Sequence, residues 1–116
     1  MQIQEKVLGP KHPDLASGLA NLGFVRQETG DYAGARGLYQ RAVDIQEAAG
    51  PQNPELARFL DGVAKAHLSE GSVSIACQTY QRSLFISEKA LGKDHPGNAE
   101  SLTGLANCDR KEGRLS

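Results

Sequence analysis

Apolar residues return along this chain at steps of three and four, the period of a helix with one buried face. Leu15-Ala16-x-x-Leu19-x-x-Leu22-Gly23 sets the pattern, and Leu56-Ala57-x-x-Leu60-x-x-Val63-Ala64 repeats it. Asn98-Ala99-x-x-Leu102-x-x-Leu105-Ala106 is a third version. Between them lies a second kind of segment, Ala35-x-x-Leu38-Tyr39-Gln40-Arg41-Ala42-Val43-x-Ile45. Its partner is Ala76-x-x-Thr79-Tyr80-Gln81-Arg82-Ser83-Leu84-x-Ile86. Two alternating kinds of helix are predicted.

The breaks between these segments are as regular as the segments. Gly9, Gly30, Gly50, Gly71, Gly92 and Gly113 recur every 20 or 21 residues. Glycine ends helices because it enters the left-handed region without a Cβ clash. Pro13, Pro54 and Pro96 suit first helical positions, where the missing N–H is no loss. Asp31 and Ser72 are good N-caps for the second segments. Ile3-Gln4-Glu5-Lys6-Val7-Leu8-Gly9 matches Ile86-Ser87-Glu88-Lys89-Ala90-Leu91-Gly92. The predicted layout is therefore the end of a preceding second helix over 1–9, one repeat over 10–50 and another over 51–92. The first helix of a third repeat follows over 93–116. The whole reads as a single all-α array of αα-hairpins, a fragment of a longer solenoid.

Composition changes this picture little. The chain has 116 residues, 39% hydrophobic and 23% charged, with a formal net charge of −1. That balance offers no basic footprint for nucleic acid or an anionic membrane. No apolar stretch is long enough to span a bilayer, and the start lacks secretory-signal features. Thirteen glycines are a high number. About half are helix stops, while Gly18, Gly23, Gly34, Gly37, Gly62 and Gly104 fall inside predicted helices and are expected to soften the array.

Candidate chemistry is sparse. His12 and His95 sit in equivalent turns where an imidazole can cap the next helix, and His67 reads as a packed or capping residue. Cys77 and Cys108 are too few and too far apart for a disulfide framework or a zinc pair. They read as buried structural thiols, and a cytoplasmic, intracellular setting is the simpler expectation. Glu5, Glu47 and Glu88 occupy one recurring position, which points to an architectural salt bridge or a solvated face, since a catalytic acid is needed once. No clustered glycine loop cradles phosphate. No enzyme activity, cofactor or metal is expected.

The residues Leu19, Leu22, Gly23, Tyr32, Ala35, Tyr39 and Ala42, echoed by Leu60, Val63, Ala64, Ala76 and Tyr80, resemble the tetratricopeptide repeat. The ordinary unit is 34 residues. The longer unit here, with Glu-Lys-x-Leu-Gly-x-x-His-Pro between pairs, is similar to the repeats of kinesin light chain. The resemblance implies a right-handed superhelix whose first helices line a concave, partner-binding face. Its inward side chains would be Asn21, Phe24, Gln27 and Glu28, then Arg58, Asp61 and Lys65, then Thr103, Asn107 and Arg110. Ser17, Ala20, Leu68, Glu100 and Lys111 would share that face. Asn21 is implied to be an amide clamp for a peptide, and Gly62 and Gly104 stand where the next two copies would carry the same asparagine. Phe24 is either an apolar anchor or a packing residue between pairs.

The expected function is a non-enzymatic scaffold that binds a protein or peptide partner, with no nucleic acid and no membrane. Two alternatives of other classes are a sensor or regulatory arm of a larger signalling NTPase and a structural segment packed in a large assembly.

Overall fold

The structure is a computed structural model that describes residues 13–50 and 53–111. The expectations for residues 1–9, Gly9, His12 and Gly113 lie outside the described residues. Among these residues there are five α-helices and no strand. They are α1 (Pro13–Glu28), α2 (Tyr32–Ala49), α3 (Pro54–Ser69), α4 (Val73–Leu91) and α5 (Ala99–Lys111), with a 3-10 turn (Pro96–Asn98) leading into α5.

Local chemistry sets the boundaries. Asn53 caps α3 by accepting from the Glu55 N–H at 2.8 Å, and Pro54 opens the helix. Asp31 caps α2 through the Gly34 N–H at 3.0 Å. His95 Nδ1 accepts from the Gly97 N–H at 2.9 Å, as an imidazole cap should. Ser72 stands at the N-cap of α4 without a side-chain bond. Gly30, Gly71 and Gly92 follow their helices at φ of 90°, 89° and 96°, where a Cβ would be strained. Gly50 departs from the expectation: its φ is −176°, extended backbone open to any residue, while its N–H still closes on Gln46 O at 2.7 Å.

Each helix packs on the next along the chain, and α1, α3 and α5 also touch in succession. The second helices α2 and α4 therefore lie behind a row of first helices. Leu15, Leu19, Val43, Leu56, Phe59, Leu60 and Val63 fill the first core cluster. Full burial of such side chains stabilises by about 1.5–3 kcal/mol each before entropy is counted. Ion pairs stitch the outside, Arg36 to Glu70 at 2.6 Å and Arg82 to Glu47 at 2.6 Å. Glu47 thus forms a salt bridge, one of the two roles expected of its recurring position, although exposed pairs of this kind add little stability.

Two tyrosines join the repeats. The Tyr39 ring, 8% exposed, lies 3.2 Å from where a Cβ on Gly23 of α1 would stand. On its other side a Cβ on Gly62 of α3 would come within 2.6 Å of Tyr39 Cζ. Tyr80 repeats the arrangement one unit on, with its Cδ1 2.7 Å from the corresponding point on Gly104 of α5. Gly62 and Gly104 are thus more than positions without an asparagine. They are seats for the preceding tyrosine.

The second junction is more polar than the first. Asn98, at the place of Leu15 and Leu56, is buried and donates to Gly92 O at 2.7 Å and Lys93 O at 3.0 Å. It also accepts a bond from Ser87 of α4. The thiol expectation is corrected here: Cys77 of α4 and Cys108 of α5 form a disulfide, with Cα atoms 5.6 Å apart. Their separation of 31 residues hides their proximity, because the helical hairpin folds the start of α4 against the end of α5. Both sulfurs sit among Ala64, Ala76 and Tyr80 in a second core cluster.

Gly62→Ala should lower stability by about 1–3 kcal/mol through overpacking against Tyr39. Gly37→Ala, which meets nothing within 4 Å, should raise it by up to about 1 kcal/mol. Urea unfolding of both variants checks the opposite signs. Alkylation of the denatured, unreduced protein should modify no thiol, and reduction should cost about 3–4 kcal/mol through the loop-closure entropy it returns to the unfolded chain. Two modified cysteines before reduction would contradict the bond.

Candidate protein-interaction surface

The row α1, α3, α5 carries two adjoining hollows. The smaller, about 200 Å³, lies between α1 and α3 and is lined by Asn21, Phe24, Gln27, Arg58 and Lys65, with Tyr39 and Gly62 as its floor. The larger, about 570 Å³, lies between α3 and α5. Lys65, Leu68, Thr103, Asn107 and Lys111 wall it, over Tyr80 and Gly104. Lys65 and Glu100 belong to both hollows, so the two form one trough.

Most of the expected side chains meet there. Asn21 and Phe24 are exposed, the Phe24 ring by 55%, so this ring is no packing residue of the described helices. Arg58 reaches over the Phe59 ring at 4.9 Å and pairs with Glu55 at 2.8 Å, and it lines the trough wall. Lys65 and Thr103 are exposed and Asn107 is half-buried. Glu28 and Arg110 are exposed at positions that line neither hollow. Gln27 is buried, and its Oε1 has no hydrogen-bond partner.

Asp61 is a correction. It is 5% exposed, and it clamps three helices instead of facing a partner. Ser83 of α4 donates to its Oδ1 at 2.6 Å, and Ser101 of α5 lies 2.9 and 3.1 Å from its two oxygens. The repeat explains the error: the aligned position is Ala20, Asp61 and Thr103, and the next first helix covers it. Ala20 is buried likewise, whereas Thr103 has no further helix over it among the described residues and is exposed.

Sequence reasoning missed the trough floor. Tyr39 and Tyr80 are placed on second helices, yet their rings pass between first helices and reach the concave side. A usable signal was present. Glycine replaces the amide at 62 and 104, and each of these glycines has a repeat tyrosine one helix earlier. Burial raises both phenols, Tyr80 to about 12, so neither ionises near neutrality. His67 is half-buried; burial first, then the Arg36 guanidinium, lowers its pKa, and the Glu70 carboxylate opposes the shift.

Burial raises Asp61 to about 6; the two serine hydroxyls oppose this shift, and the Glu100 carboxylate adds to it. The folded value lies above the unfolded one, so the protonated form is the one that folding favours. The contribution of this group to stability is therefore fullest below about pH 4 and is lost as pH rises through 6. Between pH 5 and pH 7.5 this group should cost about 1 kcal/mol. Asp61→Asn keeps an acceptor for the serines and should abolish that pH-dependent loss, as read by urea melts at the two pH values.

Among the described residues no helix is long and apolar enough to cross a membrane, and no three His, Cys, Asp or Glu side chains gather as metal ligands. No curated protein matches the chain. A family model described as the tetratricopeptide repeat matches residues 1–48 and, in a second overlapping placement, residues 14–74. With the helix pairs, the recurring tyrosines and small residues and the row of first helices, that match settles the family: the chain belongs to the tetratricopeptide repeat proteins.

Proposed function

We propose that this chain is a non-enzymatic scaffold that holds a partner peptide or helix along the trough of α1, α3 and α5. Tetratricopeptide repeats generally mediate protein–protein interactions, and the family is typically a scaffold. The observation that carries the reading is the continuity of the two hollows through Lys65 and Glu100. A continuous channel with an exposed aromatic at one end and amides along its walls suits an extended chain. Its few apolar anchors and several polar contacts match the make-up of such interfaces. Within the family, the unit of 41–42 residues supports a kinesin light chain-like type. The Cys77–Cys108 bond removes the argument for a reducing compartment, so the proposal carries no location.

Affinity capture with the whole chain tests it. Phe24→Ser and Lys65→Glu alter exposed side chains of the trough and should leave the fold intact. Phe85→Ser alters a ring that is 59% exposed on α4 behind the trough and serves as the control. A partner retained by the parent and the control, and weakened about tenfold by the trough variants, supports the proposal. Equal retention by all four proteins overturns it.

A further inference from the structure

The start of α5 is fastened to α3 and α4 by a cluster with more contacts than two hydroxyl protons can serve. Ser83 Oγ of α4 lies 2.9 Å from Ala57 O, 2.6 Å from Asp61 Oδ1 and 2.9 Å from Ser101 Oγ. Ser101 Oγ of α5 lies 2.9 and 3.1 Å from the two Asp61 oxygens. An ionised carboxylate only accepts, so the two serines must then supply every proton. In that state Ser83 divides its one proton between Asp61 Oδ1 and Ala57 O. A protonated Asp61 removes the conflict. Its O–H donates to Ser83 Oγ, Ser83 donates onward to Ala57 O, and Ser101 donates to the other carboxyl oxygen. Three protons make three bonds, and α3 is tied to both neighbours.

The surroundings favour that proton. Asp61 is 5% exposed, and a buried carboxylate is costly without a cation beside it. Arg58, on the same helix and lining the same small hollow, is paired with Glu55 at 2.8 Å. From α5 the Glu100 carboxylate opposes ionisation. From α4 the Tyr80 phenol, itself raised to about 12, stays neutral and offers no compensating charge. From α2 the Tyr39 phenol, also raised, lies against Gly62, the next residue along α3. Burial is the largest influence and holds the Asp61 carboxyl at about 6.

The far end of α5 is held differently. Cys108 is bonded to Cys77 of α4, a covalent link with no proton to lose. The start of α5 can therefore let go while its end stays. With 13 residues, α5 is short enough to unwind in water where its packing is lost. It also carries Glu100, Thr103, Asn107 and Lys111 in the wall of the larger hollow, so that wall changes with it. We propose that Asp61, Ser83 and Ser101 form a proton-operated latch, which fastens the start of α5 while the carboxyl holds its proton and frees it, tethered by Cys108, once the proton leaves.

The test uses the whole 13C,15N-labelled chain with its disulfide intact, between pH 5 and pH 7.5. The Asp61 side-chain carboxyl signal should titrate near pH 6, and the Asn107 side-chain amide in the larger hollow should shift with the same midpoint. Protection of the Thr103 and Gly104 amides from hydrogen exchange, corrected for the intrinsic rate, should fall about tenfold over that range. Their exchange should not quicken in low urea, the mark of a local opening. Asp61→Asn supplies an N–H toward Ser83 and a C=O toward Ser101, so it keeps the latch closed. In that variant both the Asn107 shift and the fall in protection should vanish.

A carboxyl titrating near pH 4 overturns the latch, as does protection in the parent that ignores pH. The same pH dependence in Asp61→Asn, or exchange at Thr103 and Gly104 that rises with urea as global unfolding does, overturns it too. No partner enters this experiment, so its failure leaves the scaffold reading standing, and failure of affinity capture leaves the latch standing.

Discussion

A tyrosine ring held against a bare helix backbone is the contact on which this array depends. Tyr39 and Tyr80 project from second helices and rest on Gly62 and Gly104 of the first helix that follows. A solenoid unit touches only its neighbours, so its geometry is fixed at such junctions. The ring is large and stiff, and the absent Cβ sets how closely it approaches. The same contact makes the floor of the trough. Packing and binding surface are here two sides of one ring.

The two junctions differ in their remaining chemistry. Tyr39 shares one core cluster with Leu19, Leu56, Leu60 and Val63, and burial of apolar area does the work there. At the second junction polar groups replace apolar ones at aligned positions: Ser83 where the first repeat has Ala42, and Asn98 where it has Leu15. These groups are satisfied by one another, through Asp61, Ser101 and Ser87, and a disulfide closes the far end. Low dielectric makes such a network strong when complete and costly when broken. The third first helix is thus held by bonds of definite direction, where the second is held by a broad apolar face.

Much of this was legible in the sequence because it is local. Periodicity three and four apart, proline after Asn53 and His95, and glycine at 30, 71 and 92 fix helices through the backbone of a few adjacent residues. What escaped depends on residues from different repeats meeting. Asp61 looked like a surface acid until Ser83 and Ser101 converged on it from other helices. Gly62 and Gly104 looked like losses because their purpose lies on the tyrosine one helix earlier. Cys77 and Cys108 are distant along the chain and adjacent only after the hairpin closes.

The most direct test of this account is a double-mutant cycle between Tyr80 and Gly104, measured by urea unfolding. With Tyr80 present, Gly104→Ala has to displace the ring. In the Tyr80→Leu background the added methyl meets a smaller, flexible side chain, and the helix gains alanine's better propensity. The account predicts that Gly104→Ala destabilises the parent, is neutral or stabilising in Tyr80→Leu, and gives a coupling of about 1 kcal/mol or more. Additive effects of the two substitutions would contradict it.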